Sequence, residues 1–305
     1  MLAGHGRGMR GVWFAVGVAT GLFCSCGLFL YTTTTSPHLT AHSIPLLAED
    51  TVWGEEPRPP RDDEDWGKIN CTVPERRNMD DFYDYIDRRE LQCHKPVMSG
   101  GYILTGTTLL MGEKWVCMDN RFNITPGRCL ALSFGIADDF SFDDDMDKRF
   151  NCTVHSFDPT IRTPTHRRSA NVMFHNLGIA NSDREQNNMT MARYTTILQK
   201  LQLERSVIDY LKIDVEGFEV EFFSDVIRNT PNLLKNVKQI GMEIHAQTRV
   251  PLRRELLWMY FGFLRCYGFK VMFSEINPVK RLRFEVRGQE RSSCYEVVWA
   301  REKQW

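Results

Sequence analysis

The stretch Tyr210-Leu-Lys-Ile-Asp-Val-Glu-Gly-Phe-Glu219 decides how this chain is read. From Val207 to Ile213 the chain is mostly apolar, as a short strand covered on both faces of a sheet requires. The run then breaks into Asp214 and Glu216, with Gly217 behind them. A glycine there permits a sharp turn into a helix starting near Phe218. Such a turn aims the two carboxylates at the space beyond the strand, away from the core. The structural alternative is that Asp214 and Glu216 cap the new helix by accepting its first amides.

Working outward, the same pattern repeats. Apolar runs span Cys129 to Phe134, Cys152 to Phe157, Asn171 to His175, Val237 to Ile244, Gly268 to Phe273 and Cys294 to Ala300. Helical periodicity lies between most of them. Ser141 with Asp144 reads as a capping box opening a helix toward Phe150. Ile197, Leu198 and Leu201 mark another helix, and Glu219 to Ile227 a third. Leu252, Leu256, Leu257, Tyr260, Phe263, Leu264 and Tyr267 mark an amphipathic helix stopped by Gly268. Upstream, Met79, Phe82, Tyr83 and Ile86 recur at helical spacing. Strands alternating with helices predict an α/β fold with a mostly parallel sheet. The last two runs lack a strong helix between them and read as a hairpin-like pair containing one antiparallel strand.

In such a sheet, ligands bind beyond the carboxyl ends of the strands. Polar residues do collect there. Ser133, Gly135 and Asp138 lie at the first run's end, and Asp158 ends the second. Asn176 and Gly178 follow the third, and Glu243 and His245 straddle the end of the fifth. Asp158 stands where an acid holds ribose hydroxyls in nucleoside-binding sheets. The bland reading of Gly135 and Asp158 is a turn glycine and a strand-end cap.

Leu211 to Glu219 resembles the signature of FkbM-type S-adenosylmethionine-dependent methyltransferases, in which a strand ends in Asp-x-Glu-Gly-x-Glu. Trp115-Val-Cys-Met-Asp119, Cys129 to Phe142, Ser156-Phe-Asp-Pro159 and Gly241-Met-Glu-Ile-His245 extend the likeness over roughly residues 90 to 300, toward the subgroup of methyltransferase-like protein 24 and its relatives. The resemblance implies a seven-stranded, Rossmann-like methyltransferase sheet and S-adenosyl-L-methionine as cofactor. On this reading Ser133, Gly135, Asp138, Asp158, Asn176 and Gly178 bind the cofactor, and Asp214, Glu216 and His245 are catalytic. One glycine, Gly135, stands where the usual first motif has several. That motivates the alternative of a non-catalytic binding protein with a methyltransferase fold.

Methyl transfer needs an acceptor aligned with the methyl group, and an alcohol acceptor gains from a base or a metal that lowers its pKa. Asp214, Glu243 and His245 offer carboxylate and imidazole donors of the kind that hold a divalent cation. A rival enzyme reading takes Asp143-Asp144-Asp145 as the metal motif of a glycosyltransferase; its bland counterpart is acids in a first helical turn.

The chain has 305 residues and a formal net charge of -1, so no basic field points to nucleic acid. Gly11 to Leu30 carries no charge and is long enough to cross a bilayer. Arg7 and Arg10 precede it and no Lys or Arg follows until Arg58, which puts the N-terminus in the cytosol. The expected organisation is a cytosolic tail (1–10), a transmembrane signal anchor (11–30), a disordered stem (31–69) and a luminal domain (70–305). This describes a single-pass type II membrane protein of the Golgi or ER, with secretion after signal cleavage as the alternative. Gly17 and Gly21 form a Gly-x-x-x-Gly pair of the type that joins helices into a homodimer. Sequons at Asn70, Asn123, Asn151 and Asn188 match a luminal setting, and that compartment together with the family resemblance implies a luminal acceptor such as a glycan hydroxyl. Nine cysteines permit disulfides there, in a pairing the sequence leaves open.

Overall fold

The computed structural model describes residues 78–246 and 251–302. The expected tail, anchor and stem, with Asn70, lie outside the described residues. Among the described residues no helix is long and apolar enough to cross a membrane.

Helix α1 (Met79–Asp87) opens on a capping box that sequence reasoning missed: Asn78 accepts from the amides of Asp80 and Asp81, and Asp81 accepts from the amide of Asn78. Its apolar face, Phe82, Tyr83 and Ile86, is fully buried. Burying one such aromatic side chain stabilises by about 1.5–3 kcal/mol.

The central sheet contains β1 (Leu130–Phe134), β2 (Thr153–Phe157), β3 (Val172–His175), β4 (Ile208–Ile213), β5 (Val237–His245), β6 (Phe269–Ile276) and β7 (Cys294–Arg301). Their order across the sheet is β6-β7-β5-β4-β1-β2-β3. The neighbours from β5 to β3 pair in parallel, while β7 inserts between β5 and β6 and runs antiparallel to both. The expected mostly parallel sheet with one antiparallel C-terminal strand is therefore present. An eighth, two-residue strand, His166–Arg167, pairs with β3 and extends the predicted seven. It forms because the β2–β3 connection has no helix and folds back on the edge.

Helices α2 (Ser141–Phe150), α3 (Tyr194–Leu201), α4 (Glu219–Asn229) and α5 (Pro251–Cys266) cover the two faces. One core joins α1, α3, α4 and α5 to one sheet face; the other joins α2 and the segment before β1 to the opposite face. The expected capping box at Ser141 is not formed. Phe140 is the N-cap, the Ser141 hydroxyl accepts from the Gly101 amide at 2.7 Å, and Asp144 turns to Arg168.

Segment Lys114–Cys117 is fastened onto the sheet. The Gln239 amide exchanges hydrogen bonds with Cys117 at 2.9 and 2.7 Å, and the Tyr210 hydroxyl donates to the Trp115 carbonyl at 2.9 Å. A disulfide ties Cys117 to Cys93, and another joins Cys129 to Cys152 at the starts of β1 and β2. These fastenings place Lys114 beside the end of β4 and the start of β7.

Candidate functional site

The turn after β4 follows from the glycine. Glu216 (φ 51°) and Gly217 (φ 103°) are both left-handed, and the Phe218 amide closes the turn on the Val215 carbonyl at 3.1 Å. Helix α4 takes Phe218 as N-cap with no side-chain cap bond, so the capping alternative for Asp214 and Glu216 is not what is formed. The turn frees both acids for the strand-end rim and sets Glu219, in the first turn of α4, against β5.

There a dense charge cluster assembles. The Lys114 ammonium is 3.3 Å from Asp214 and 2.8 Å from Glu296, and Lys212 lies 3.9 Å from Asp214. His245 Nδ1 lies 2.8 Å from Glu219, while Nε2 lies 3.4 Å from Glu216 and 3.8 Å from Glu243. Asn277 donates to Glu243 at 3.1 Å. Glu216 is the member open to solvent, with 49% of its side chain exposed.

The electrostatics sort the acids. Burial opposes ionisation of Asp214, but Lys114, Lys212, a hydrogen bond from Glu243 and the His245 ring outweigh it and hold this carboxyl well below its ordinary range. Burial pushes Glu243 well above its range, helped by Asp214 and Glu296, so it holds a proton. Burial would discharge His245, but Glu219 foremost, then Glu243 and Glu216, keep it cationic. Five carboxyl groups, Asp214, Glu216, Glu219, Glu243 and Glu296, thus face three basic groups, Lys114, Lys212 and His245, and burial raises Glu296 as it raises Glu243.

Asp214, Glu216, Glu243 and His245 each offer a ligand atom, all within 4.8 Å of one another, the spread of a small cation's shell. The predicted trio Asp214, Glu243 and His245 is thus brought together, joined by Glu216. Lys114 and Lys212 already supply positive charge at this point.

The residues predicted to bind cofactor sit around the β1 loop, most of them engaged with the protein. A Cβ on Gly135 would fall 1.6 Å from the Asp214 carbonyl oxygen, so only glycine lets these two strand ends meet. The Gly135 amide donates to the Phe157 carbonyl at 2.9 Å, and its carbonyl accepts from Lys212 at 2.6 Å. Asp158 is 4% exposed. One of its carboxylate oxygens accepts from the amides of Ile136 and Ala137, at 2.9 and 2.7 Å. The other accepts from the amide and hydroxyl of Thr160, at 2.7 and 2.5 Å. Ser133 is buried beneath α2. Asn176 holds the returning loop by donating to the carbonyls of Ile161 and Thr163 at 2.9 and 3.0 Å. Gly178 packs against Met191 and Pro159. Asp138 alone of the set is exposed on the rim.

The glycosyltransferase reading of the triple aspartate is overturned by geometry. Asp143 is buried and accepts from Ser156 at 2.6 Å; Asp144 pairs with Arg168 at 2.8 Å; Asp145 accepts from the Gly100 amide at 3.0 Å. Three carboxylates pointing three ways do not converge on one ion.

Sequence reasoning missed Lys114, Lys212, Glu219, Glu296 and Asn277. Glu219 and Lys212 stood inside the quoted motif, and a lysine in an otherwise apolar strand was a usable signal. Lys114 and Glu296 lie outside the rim pattern, because Lys114 precedes the sheet and β7 runs in the opposite direction.

The strand order, the charged strand-end rim and the turn after β4 define a methyltransferase-type α/β domain. A family model described as a methyltransferase domain matches residues 69–287, and the chain belongs to that family. The relatives it matches include a human protein named "Probable methyltransferase-like protein 24", 26% identical over 175 residues, covering 54% of this chain and 46% of the relative. A rat protein of the same name is 27% identical over 174 residues, with the same coverage. The chain thus spans about half the length of the curated relatives it matches. The family resemblance carried by the quoted motif is borne out.

Proposed function

We propose that this domain transfers a methyl group from S-adenosyl-L-methionine to an oxygen of a luminal acceptor such as a glycan hydroxyl. The observation that carries the reading is the unbalanced acidic rim at the ends of β4 and β5 in a chain of this family. A rim where carboxyl groups outnumber basic groups, five to three, favours a cation there.

The residues present fit such a cofactor at two points. The rim acids suit its positive centre. Asp158 already accepts a hydroxyl, that of Thr160, at 2.5 Å, which is the bond a ribose hydroxyl makes. When bound, the cofactor supplies an electrophilic methyl group on a positively charged sulfur. Asp158, both of whose oxygens are engaged by the protein, would hold the ribose by exchanging the Thr160 hydroxyl for one of the sugar's, and Asp138 is the rim acid open to a polar ligand. Glu216 is the exposed carboxyl of the rim, so it is the group an acceptor hydroxyl reaches first and the one to take its proton. Asp214, held ionised between two lysines, is a weak base; it orients the acceptor and answers developing positive charge. His245 fixes Glu216 in place, itself braced by Glu219.

A second reading, a binding protein without turnover, is favoured by the β1 loop, whose amides at Gly135, Ile136 and Ala137 are all taken by the protein itself. Methyl-labelled cofactor and a mixture of glycan acceptors separate the two. Label appearing in acceptor, and lost in Glu216→Gln, supports transfer; no label transfer, and above all no cofactor binding, supports the second reading and sinks the first.

A further inference from the structure

Three sequons lie among the described residues, and each places its asparagine at an exposed left-handed turn. Asn123 (φ 47°) ends a short 3-10 turn, Asn151 (φ 52°) ends α2, and Asn188 (φ 61°) forms with Asn187 the tip of the hairpin joining Arg184–Gln186 to Met189–Ala192. All three are exposed. Asparagine tolerates this conformation better than other non-glycine residues, so the turn geometry alone accounts for its presence, but not for a threonine two positions on in each case. At Asn123 that threonine hydroxyl donates to the carboxamide oxygen at 3.2 Å.

Two of the three, Asn123 and Asn151, lie away from the rim. Asn151 directly precedes β2, and the Asn123 carbonyl accepts from Lys238, at the start of β5, at 2.9 Å. Both asparagines therefore occupy the edge where strands begin. The acids occupy the edge where strands end, about 17 Å away for five residues of strand. Bulky groups on the first edge leave the rim open. The same edge carries the Cys129–Cys152 disulfide, and Cys93–Cys117 fastens the Lys114 segment. Disulfides of this type persist in oxidising compartments, where asparagine-linked glycosylation also takes place.

We infer that Asn188 and the strand-start edge, through Asn123 or Asn151, carry asparagine-linked glycans, added from a polyprenyl pyrophosphate-linked oligosaccharide while the chain enters an oxidising lumen. In that step a bond forms between the sugar C1 and the asparagine Nδ2. The bond from C1 to the pyrophosphate oxygen breaks, the lipid pyrophosphate leaves with the electron pair, and the amide nitrogen loses a proton. The inference stands apart from methyl transfer: a glycosylated chain without transferase activity leaves it intact.

The test is to recover the full chain from a secreting animal cell line and treat it with peptide N-glycosidase in heavy-oxygen water. Mass spectrometry of its peptides follows, with a parallel non-reducing digest. The expected result is heavy aspartate at position 188 and at 123 or 151, one glycan lost from the intact mass in Asn188→Gln, and Cys129 recovered linked to Cys152. Bare Asn188, both edge asparagines bare, or Cys129 and Cys152 recovered as free thiols would each overturn it.

Discussion

The Lys114 ammonium, buried to 1% exposure, lies 3.3 Å from Asp214 and 2.8 Å from Glu296, so a residue from before the sheet neutralises acids at the end of β4 and the start of β7. Removing one partner of a buried ion pair strands the others without compensation. Lys114→Met is expected to lower unfolding stability by about 3–5 kcal/mol, with much of the loss recovered when Asp214→Asn and Glu296→Gln are added. Urea unfolding at pH 7 measures this, and a loss in Lys114→Met near that of a surface lysine would contradict the arrangement.

Gly135 and Gly288 share a left-handed backbone, with φ 75° and 76°, but not their surroundings. A Cβ at Gly288 meets nothing within 4 Å, whereas one at Gly135 strikes the Asp214 carbonyl. Gly288→Ala should therefore cost only the conformational term, about 1 kcal/mol. Gly135→Ala should cost several times that, since the ends of β1 and β4 must separate. Similar losses for the two variants in chemical denaturation would show that the close approach is not real.

Burial pushes the Asp143 carboxyl up to about 6, against the weaker pull of Lys212, Ser156 and Ser133. Its unfolded value is near 3.9. Between these two values the folded state binds the extra proton, so stability falls as pH rises from about 4 to 6 and stays lower above it. Asp143→Asn keeps an acceptor for Ser156 and removes the charge. It should flatten that slope and stabilise the protein at pH 7 by about 2 kcal/mol. A thermal-unfolding series from pH 4 to 7 on both proteins decides it, and an unchanged slope would refute the assignment.

Asp158 accepts four hydrogen bonds that hold the loops after β1 and β2. Asp158→Ala leaves buried amides without acceptors, so a loss of about 2–3 kcal/mol is expected even without ligand. Faster amide exchange at Ile136 and Ala137 would accompany it. Stability equal to wild type would contradict this role in holding the loops.

Much of this was legible because α/β folds write their strands plainly. The seven apolar runs lie within a few residues of β1 to β7, and the rim acids Asp214, Glu216 and Glu243 and the nearby His245 converge as their strand-end positions predicted. The failures share a cause: a residue type at the right place does not reveal which way its side chain turns. Ser141 looked like an N-cap but serves Gly101, and the three aspartates after it look like one motif but face core, arginine and backbone. Lys114 was invisible because its role depends on a long-range docking by Gln239 and Tyr210, which no local pattern encodes.

The most direct test of the acidic rim as the seat of a cationic methyl donor is calorimetric titration of the full chain, wild type and Glu216→Gln, with S-adenosyl-L-methionine and with its demethylated product, which lacks the sulfonium charge. The account predicts saturable binding of the donor, weakened about tenfold by the substitution (about 1.4 kcal/mol), with the product's affinity unchanged. No binding to the wild type, or equal weakening of both ligands, would contradict it.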